Sequence, residues 1–374
     1  MKILVVSQHL FPMPTPRAHR TTELVKELSR QGHEVILFAV IGKHDYTDFE
    51  KKYNVIVKKI PIRFQKHPYN SDGNSKRTLI DKALGRLLGK ILEFPNIEFM
   101  FRGPKIILQE NKIDALITIA DPHQIHWGAA LARKNNPQNF PPVWIADCGD
   151  PFMFNSNGKN HFAYFSKYEK LFGKYCDFIT VPAEKSIKGY YPEFTPKIRV
   201  IPQGFKFVLD AERKEPNNAV ITFAYAGSFY KDIRNPATFL HYIATSNLNF
   251  RFVIYTQFDE IIKPYKILFG DRLVLKKPID RLKLIEELKE MDFLINIENI
   301  NSPAQRPSKL IDYAITGRPI LSVNPEKLDK NTIDQFLQKN YSGQLIVDNL
   351  EQYQIEHVAK KFTDLIQEKS NELI

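Results

Sequence analysis

Short apolar runs alternate along this chain with stretches whose apolar positions recur every three to four residues. In the first half the runs are KILVVS, HEVILFAV, DALITIA, PVWIAD and FITVPA, with an amphipathic stretch near 18–31 between the first two. The second half repeats the rhythm with ITFAYAGS, FRFVIYT, RLVLKK, DFLINI and PILSV, and residues 281–290 carry helical periodicity. Continuous apolar runs separated by helical segments predict parallel βαβ units, so the fold class is α/β with two doubly wound, Rossmann-like domains. The segment PQGFKFVLDAERKEPNNA, rich in charge, Pro and Asn, reads as the connection between them. Near the end, Ile355, Val358, Phe362 and Leu365 are spaced as one face of a helix. In open parallel sheets ligands bind outside the carboxyl ends of the strands, so the loops after these runs are where chemistry is expected.

Composition adds limits. At 374 residues, 43 % hydrophobic and 25 % charged, the chain suits two globular domains. No apolar run approaches the roughly 18 to 20 residues that a membrane-spanning helix needs, and MKILVVSQHLF reads as a first strand, so a cytoplasmic location is expected. Cys148 and Cys176 are too few and too separated for a disulfide framework or a zinc site and read as buried thiols. The formal charge of +11 lies in the first half, where residues 51–100 alone hold 11 basic and 4 acidic side chains. Such a field attracts polyanions. Within it, Leu79, Ile80, Ala83, Leu84, Leu87, Leu88, Ile91 and Leu92 form a helical stripe beside a basic row of Lys82, Arg86 and Lys90. Two readings follow: the stripe packs on the first sheet, or it enters the interface of an anionic membrane.

The stretch PSKLIDYAITGRPIL carries the most specific candidate chemistry. With Pro307 opening a helix, Leu310, Ile311 and Ala314 face the sheet, and Ser308, Lys309 and Asp312 share the other side. A helix start plus a lysine suits a diphosphate, and a carboxylate one turn on can accept both hydroxyls of a ribose. The plain alternative is a solvated Lys309–Asp312 ion pair.

Six stretches, in order, resemble the family 4 glycosyltransferases of the GT-B fold. They are GHEVILFAV after the helix with Arg17 and Arg20, DPHQIHWGAAL, PPVWIADCGDPF, CDFITVPAE through KIRVIPQGF, FAYAGSFY followed by Arg234, and PSKLIDYAITGRPIL. The similarity spans nearly the whole chain. Three positions depart from the pattern: the first loop, FPMPTPRAH, has no glycine, Ala304 stands where many members carry a first glutamate, and Gly149 stands where they carry an arginine.

The resemblance implies a GT-B architecture with two Rossmann-like domains facing each other across a cleft: 1–204 on the acceptor side with possible membrane contact, 205–355 on the donor side, and a helix over 356–374 that can return to the first domain. It implies a glycosyltransferase that moves a hexosyl or N-acetylhexosaminyl group from a UDP- or GDP-linked donor, without a metal, to a lipid-linked glycan, with retention, in bacterial surface polysaccharide synthesis at the inner face of the membrane. By the same resemblance, Arg234, Ser308, Lys309, Asp312, Gly227 and Ser228 bind the donor. Asp150, His123 and Lys309 are catalytic, His123 near the donor sugar and Asp150 near the acceptor. Arg17, Arg20 and His126 belong to the acceptor side or its loop. A sugar-nucleotide epimerase of the same architecture is the alternative. A nucleic-acid-binding protein, suggested by the charge, lacks an interleaved aromatic set and any common reader motif.

Overall fold

The computed structural model describes residues 1–13, 15–64, 79–154, 161–207, 215–300 and 308–372, with the backbone alone at 79–84 and 308. Pro307 and Ala304, and the side chains of Lys82 and Ser308, lie outside the described residues. In chain order the elements are β1 (Lys2–Ser7), α1 (Pro16–Arg30), β2 (Glu34–Ala39), α2 (Thr47–Tyr53), β3 (Val55–Lys59), α3 (Leu79–Leu92), α4 (Glu98–Leu108), β4 (Ala115–Ile119), α5 (Gln124–Asn135), β5 (Val143–Asp147), α6 (Ser166–Tyr175), β6 (Phe178–Val181) and β7 (Ile198–Val200). They continue with β8 (Ile221–Ala226), α7 (Ala237–Thr245), β9 (Phe250–Tyr255), α8 (Lys266–Phe269), β10 (Leu273–Lys276), α9 (Arg281–Lys289), β11 (Phe293–Ile297), α10 (Ser308–Ile315), β12 (Ile320–Val323), α11 (Lys330–Leu337) and α12 (Ile355–Glu372). The chain divides into two compact units, Met1–Lys206 with Gln352–Ile374, and Phe207–Glu351.

The first unit is a seven-stranded sheet in the order β3-β2-β1-β4-β5-β6-β7, every pair parallel. Because side chains alternate across a strand, β1 feeds both faces: Leu4 and Val6 join the cluster of Phe99, Ile106 and Trp127 from α4 and α5, while Ile3 and Val5 join Leu24, Leu28, Val358 and Phe362 from α1 and α12. Each such buried side chain contributes about 1.5–3 kcal/mol. Helix α1 starts where Thr15 accepts a hydrogen bond from the Ala18 N–H and Pro16 takes the first helical position. Helices α4 and α5 cross closely because both contact points are glycine: a Cβ on Gly128 would meet the Phe99 carbonyl oxygen at 2.7 Å and Gly103 Cα at 3.2 Å.

The 79–92 stripe is described only in its second half. The side chains of Leu79, Ile80, Ala83 and Leu84 lie outside the described residues; α4 supplies Phe99, Met100, Ile106 and Ile107 to the core, whereas Leu87, Ile91 and Leu92 of α3 are 53, 37 and 45 % exposed, with Arg86 and Lys90 exposed beside them. No helix among the described residues is long and apolar enough to cross a membrane.

The second unit is a five-stranded parallel sheet in the order β10-β9-β8-β11-β12. One face gathers Phe223, Tyr225, Phe239, Phe252 and Phe293; the other gathers Ala224, Ala226, Leu294, Leu310 and Tyr313. Helix α10 is thereby set against the small residues of β8. Both sheets reverse strand order next to their first strand, at β1/β4 and at β8/β11, and the carboxyl edge there is where open α/β sheets bind ligands.

Candidate functional site

At that edge of the second sheet lies a cavity of about 250 Å³. Ala226, Gly227 and Ser228 line it after β8, Tyr255, Thr256 and Gln257 after β9, Pro278, Ile279 and Leu284 around the start of α9, and Lys309, Asp312 and Tyr313 from α10. Lys309 sits in the first turn of α10. Its Nζ is buried with no hydrogen-bond partner among the described residues, 4.0 Å above the ring of Tyr225 and 6.0 Å from that of Tyr313. The rings are themselves fixed: Tyr225 stacks on Phe229 at 4.2 Å, and the Tyr313 hydroxyl accepts from the Ala226 N–H at 2.8 Å. Burial, then the charge of Arg234, pushes the Lys309 amine well below the ordinary lysine range. When protonated, an amine facing aromatic rings is partly compensated, but it has no counter-anion among the described residues.

Asp312 does not pair with Lys309. Its Oδ1 accepts both Nε (2.8 Å) and an Nη of Arg281, the first residue of α9, and Oδ2 has no partner among the described residues. Burial raises the Asp312 carboxyl and Arg281 opposes the shift. The solvated Lys309–Asp312 pair is therefore excluded: a closer arginine holds the acid, and the lysine is buried. Arg234 approaches from the 229–234 turn, where Nε and Nη2 both bond Asn299 Oδ1 at 3.0 and 2.8 Å. Gly227 adopts φ +136°, open to glycine, but its N–H donates to the Tyr255 carbonyl at 2.9 Å and is not free for a phosphate.

In the first unit, the carboxyl edge holds a polar cluster. Asp147, at the end of β5, is bound by Arg20 Nε and Nη2 at 3.1 and 2.8 Å and by Thr180 Oγ1 at 2.7 Å; Arg20 also donates to the carbonyls of Pro202 and Ile201. Arg20, expected on the acceptor side, is 3 % exposed and fully engaged in fastening β5 to the chain after β7. His126 is 0 % exposed, between Thr118 Oγ1 (2.8 Å) and Cys148 Sγ (3.3 Å), and burial pushes it well below the usual histidine value. His123 donates from Nε2 to the Asp150 carbonyl at 2.9 Å, and its Nδ1 is buried. Expected beside the donor sugar, it presents neither nitrogen at the surface. Asp150 itself is exposed. Arg17 lies 3.6 Å from Asp147 and against Gly149, where any Cβ would collide with its guanidinium.

Solved structures match this chain over their full length. The lipopolysaccharide outer core galactosyltransferase WaaB, in its apo form, matches with a TM-score of 0.60 at 14 % identity, over 99 % of this chain and 100 % of that one. A glycosyltransferase from Rickettsia africae gives 0.61 at 14 %, over 98 % of each. HepE from Anabaena, solved with UDP and glucose, gives 0.52 at 10 %, over 100 % of this chain and 99 % of that one. The fold is that of the GT-B glycosyltransferases. No protein-family profile and no curated protein matches the chain. At these identities the likeness is one of fold, and the GT-B frame leaves the chemistry to be argued from side chains.

Within that GT-B frame, the second unit brings Lys309, Asp312, Gly227 and Ser228 to one cavity, with Arg234 close enough to shift the lysine. Arg281, Tyr225 and Tyr313 went unnoticed in the sequence. Arg281 had a signal, since PIDR follows the third run of the second half, directly after a carboxyl end. A second cavity, about 320 Å³, lies by the amino end of β3 among ion-paired residues of α1, including Arg30 with Glu27, off the carboxyl edge.

Proposed function

We propose that the protein is a nucleotide-sugar-dependent glycosyltransferase whose donor site is the cavity of the second unit. The observation that carries this reading is the Lys309 amine, buried without a counter-anion among the described residues beside a carboxylate whose Oδ2 has no partner there. The diphosphate meets Lys309, with Arg234 and the start of α10 as further positive potential. The ribose hydroxyls bond Asp312 Oδ2, and the base lies against Pro278, Ile279 and Leu284. Glycosidic cleavage has oxocarbenium character and places charge on the leaving β-phosphate, so a poorly solvated cation there lowers the barrier most. These residues supply that stabilisation without a metal at the diphosphate, and the leaving phosphate can accept the acceptor proton, consistent with retention.

On the acceptor side we assign Asp150, exposed after β5, and Arg17, which fills the space that Gly149 leaves open. His123 serves by positioning the Asp150 loop through its carbonyl. The acceptor we favour is a lipid-linked glycan of a surface polysaccharide, because α3 exposes Leu87, Ile91 and Leu92 next to Arg86 and Lys90, a combination that suits an anionic bilayer at about 1 kcal/mol per cation. Vesicle sedimentation tests this: native protein should bind anionic vesicles at low salt and Lys82→Glu/Arg86→Glu/Lys90→Glu should not, and equal binding of both removes the membrane role.

An epimerase is the second reading, favoured by a Listeria monocytogenes structure assigned as a UDP-N-acetylglucosamine 2-epimerase, with a TM-score of 0.50 at 13 % identity over 99 % of this chain. A panel of UDP- and GDP-sugars decides: a transferase protects itself thermally with a donor yet leaves its sugar unaltered until an acceptor is added, whereas an epimerase converts the donor alone. No stabilisation by any nucleotide sugar would refute both.

A further inference from the structure

We propose that His123, His126 and Cys148 form a buried site for a zinc-type divalent metal that fastens the Asp150 loop to the first sheet. One ligand atom from each of the three lies within 4.8 Å of the others, and all three side chains are buried. A tetrahedral zinc centre with Zn–N near 2.05 Å and Zn–S near 2.3 Å sets its N···S edges at about 3.5 Å. His126 Nε2 and Cys148 Sγ already stand 3.3 Å apart, so metal entry would mainly draw His123 inward, by about 1 Å.

Proton placement points the same way. A carbonyl oxygen only accepts, so His123 Nε2 carries the hydrogen it donates to Asp150, and the neutral ring leaves a lone pair on Nδ1. That Nδ1 is buried and has no partner among the described residues. A thiol S–H donated to His126 accounts for the 3.3 Å contact but leaves this lone pair bare; a metal satisfies both. The outer contacts are those that metal-bound histidines use, with the non-ligating nitrogen of each ring held by oxygen: Asp150 O on His123 and Thr118 Oγ1 on His126. Thr118 is fixed in turn by the Trp144 indole N–H at 2.8 Å. The Tyr190 hydroxyl, buried and within hydrogen-bonding reach of Cys148, or a water, is left for the fourth position. On binding, Cys148 gives up its thiol proton and the sulfur and two imidazole lone pairs bond the metal. The metal's task is structural: it ties the end of β4, the start of α5 and the chain after β5 at one point, and it does not depend on the donor-site reading.

The test uses the untagged full chain, stripped of metal, checked for a cooperative melt, and titrated with Zn²⁺ and Co²⁺. One equivalent of zinc should be retained through gel filtration and raise the melting temperature, and cobalt should give a thiolate-to-metal charge-transfer band. Cys148→Ala should abolish the band, Cys176→Ala should keep it, and Thr118→Val should weaken binding by about 10- to 100-fold. If Cys148→Ala does not fold, His123→Gln takes its place and should lower affinity while leaving the thiolate band weak. A folded native chain that takes up neither metal stoichiometrically overturns the proposal, as does loss of the band in Cys176→Ala.

Discussion

Two aspartate–arginine pairs stand at the carboxyl edges of the two sheets, and they differ in what they leave unsatisfied. Asp147 is 1 % exposed and uses both oxygens, on Arg20 and Thr180, with Arg17 nearby. Burial alone would raise its carboxyl, and Arg20, Arg17 and Thr180 outweigh that and hold it below the ordinary value. Asp312 is half-buried, offers one oxygen to Arg281, keeps the other without a partner among the described residues on a cavity wall, and lies above the ordinary value because burial wins. A closed pair fixes the fold, whereas a half-open pair beside an uncompensated lysine is available to a ligand. The kind of residue is the same; the accounting of hydrogen bonds separates the roles.

The largest effect should come from breaking the closed pair. Arg20→Ala strands a buried carboxylate and should cost about 3–5 kcal/mol in urea unfolding, while Arg281→Ala, in a partly hydrated pair, should cost about 1 kcal/mol or less. Equal losses would erase the distinction. Next comes an acid with no arginine: Glu169 of α6 is 1 % exposed, and burial, opposed only in part by the backbone N–H groups of Met153 and Phe152, pushes its carboxyl up to about 7. Between its unfolded value near 4.5 and about 7, the native state holds more protons than the unfolded one, so stability falls as pH rises. Glu169→Gln should therefore gain up to about 3 kcal/mol at pH 8 and almost nothing at pH 4; a gain independent of pH would assign it to packing. The smallest effect is expected at the half-open pair itself. Asp312→Asn should weaken a nucleoside diphosphate by about 1 kcal/mol and leave pyrophosphate unchanged, since pyrophosphate has no ribose; equal loss for both ligands would give Asp312 a folding role.

Much of the fold was legible because strands buried on both faces read as continuous apolar runs: KILVVS, PVWIAD and DFLINI each overlie a strand. β3 was less so, since its VIVKK ends in two lysines and leaves Ile56 exposed. Lys309 and Asp312 were readable from helical spacing, but their separation was not, because the arginine that captures Asp312 comes from another βα unit. Arg20 was expected on the acceptor side or its loop; only the folded structure, which brings Asp147 at the end of β5 beside Thr180 of β6, shows the acid that holds it. The thiol of Cys148 seemed solitary for the same reason, being 22 residues from the histidine it touches.

The central claim is that Lys309 awaits a diphosphate, and calorimetric titration with UDP and GDP, in buffers of different ionisation enthalpy, tests it most directly. The free amine is held low by burial and Arg234, and a bound diphosphate raises it again. Binding should thus take up a proton, and affinity should fall as pH rises from the free value toward the bound one. Lys309→Ala should lose about 1.5–3 kcal/mol of affinity and the proton uptake together, with no loss of folding stability. A folded Lys309→Ala chain that binds both nucleotides as native protein does, with the same proton uptake, would contradict the account.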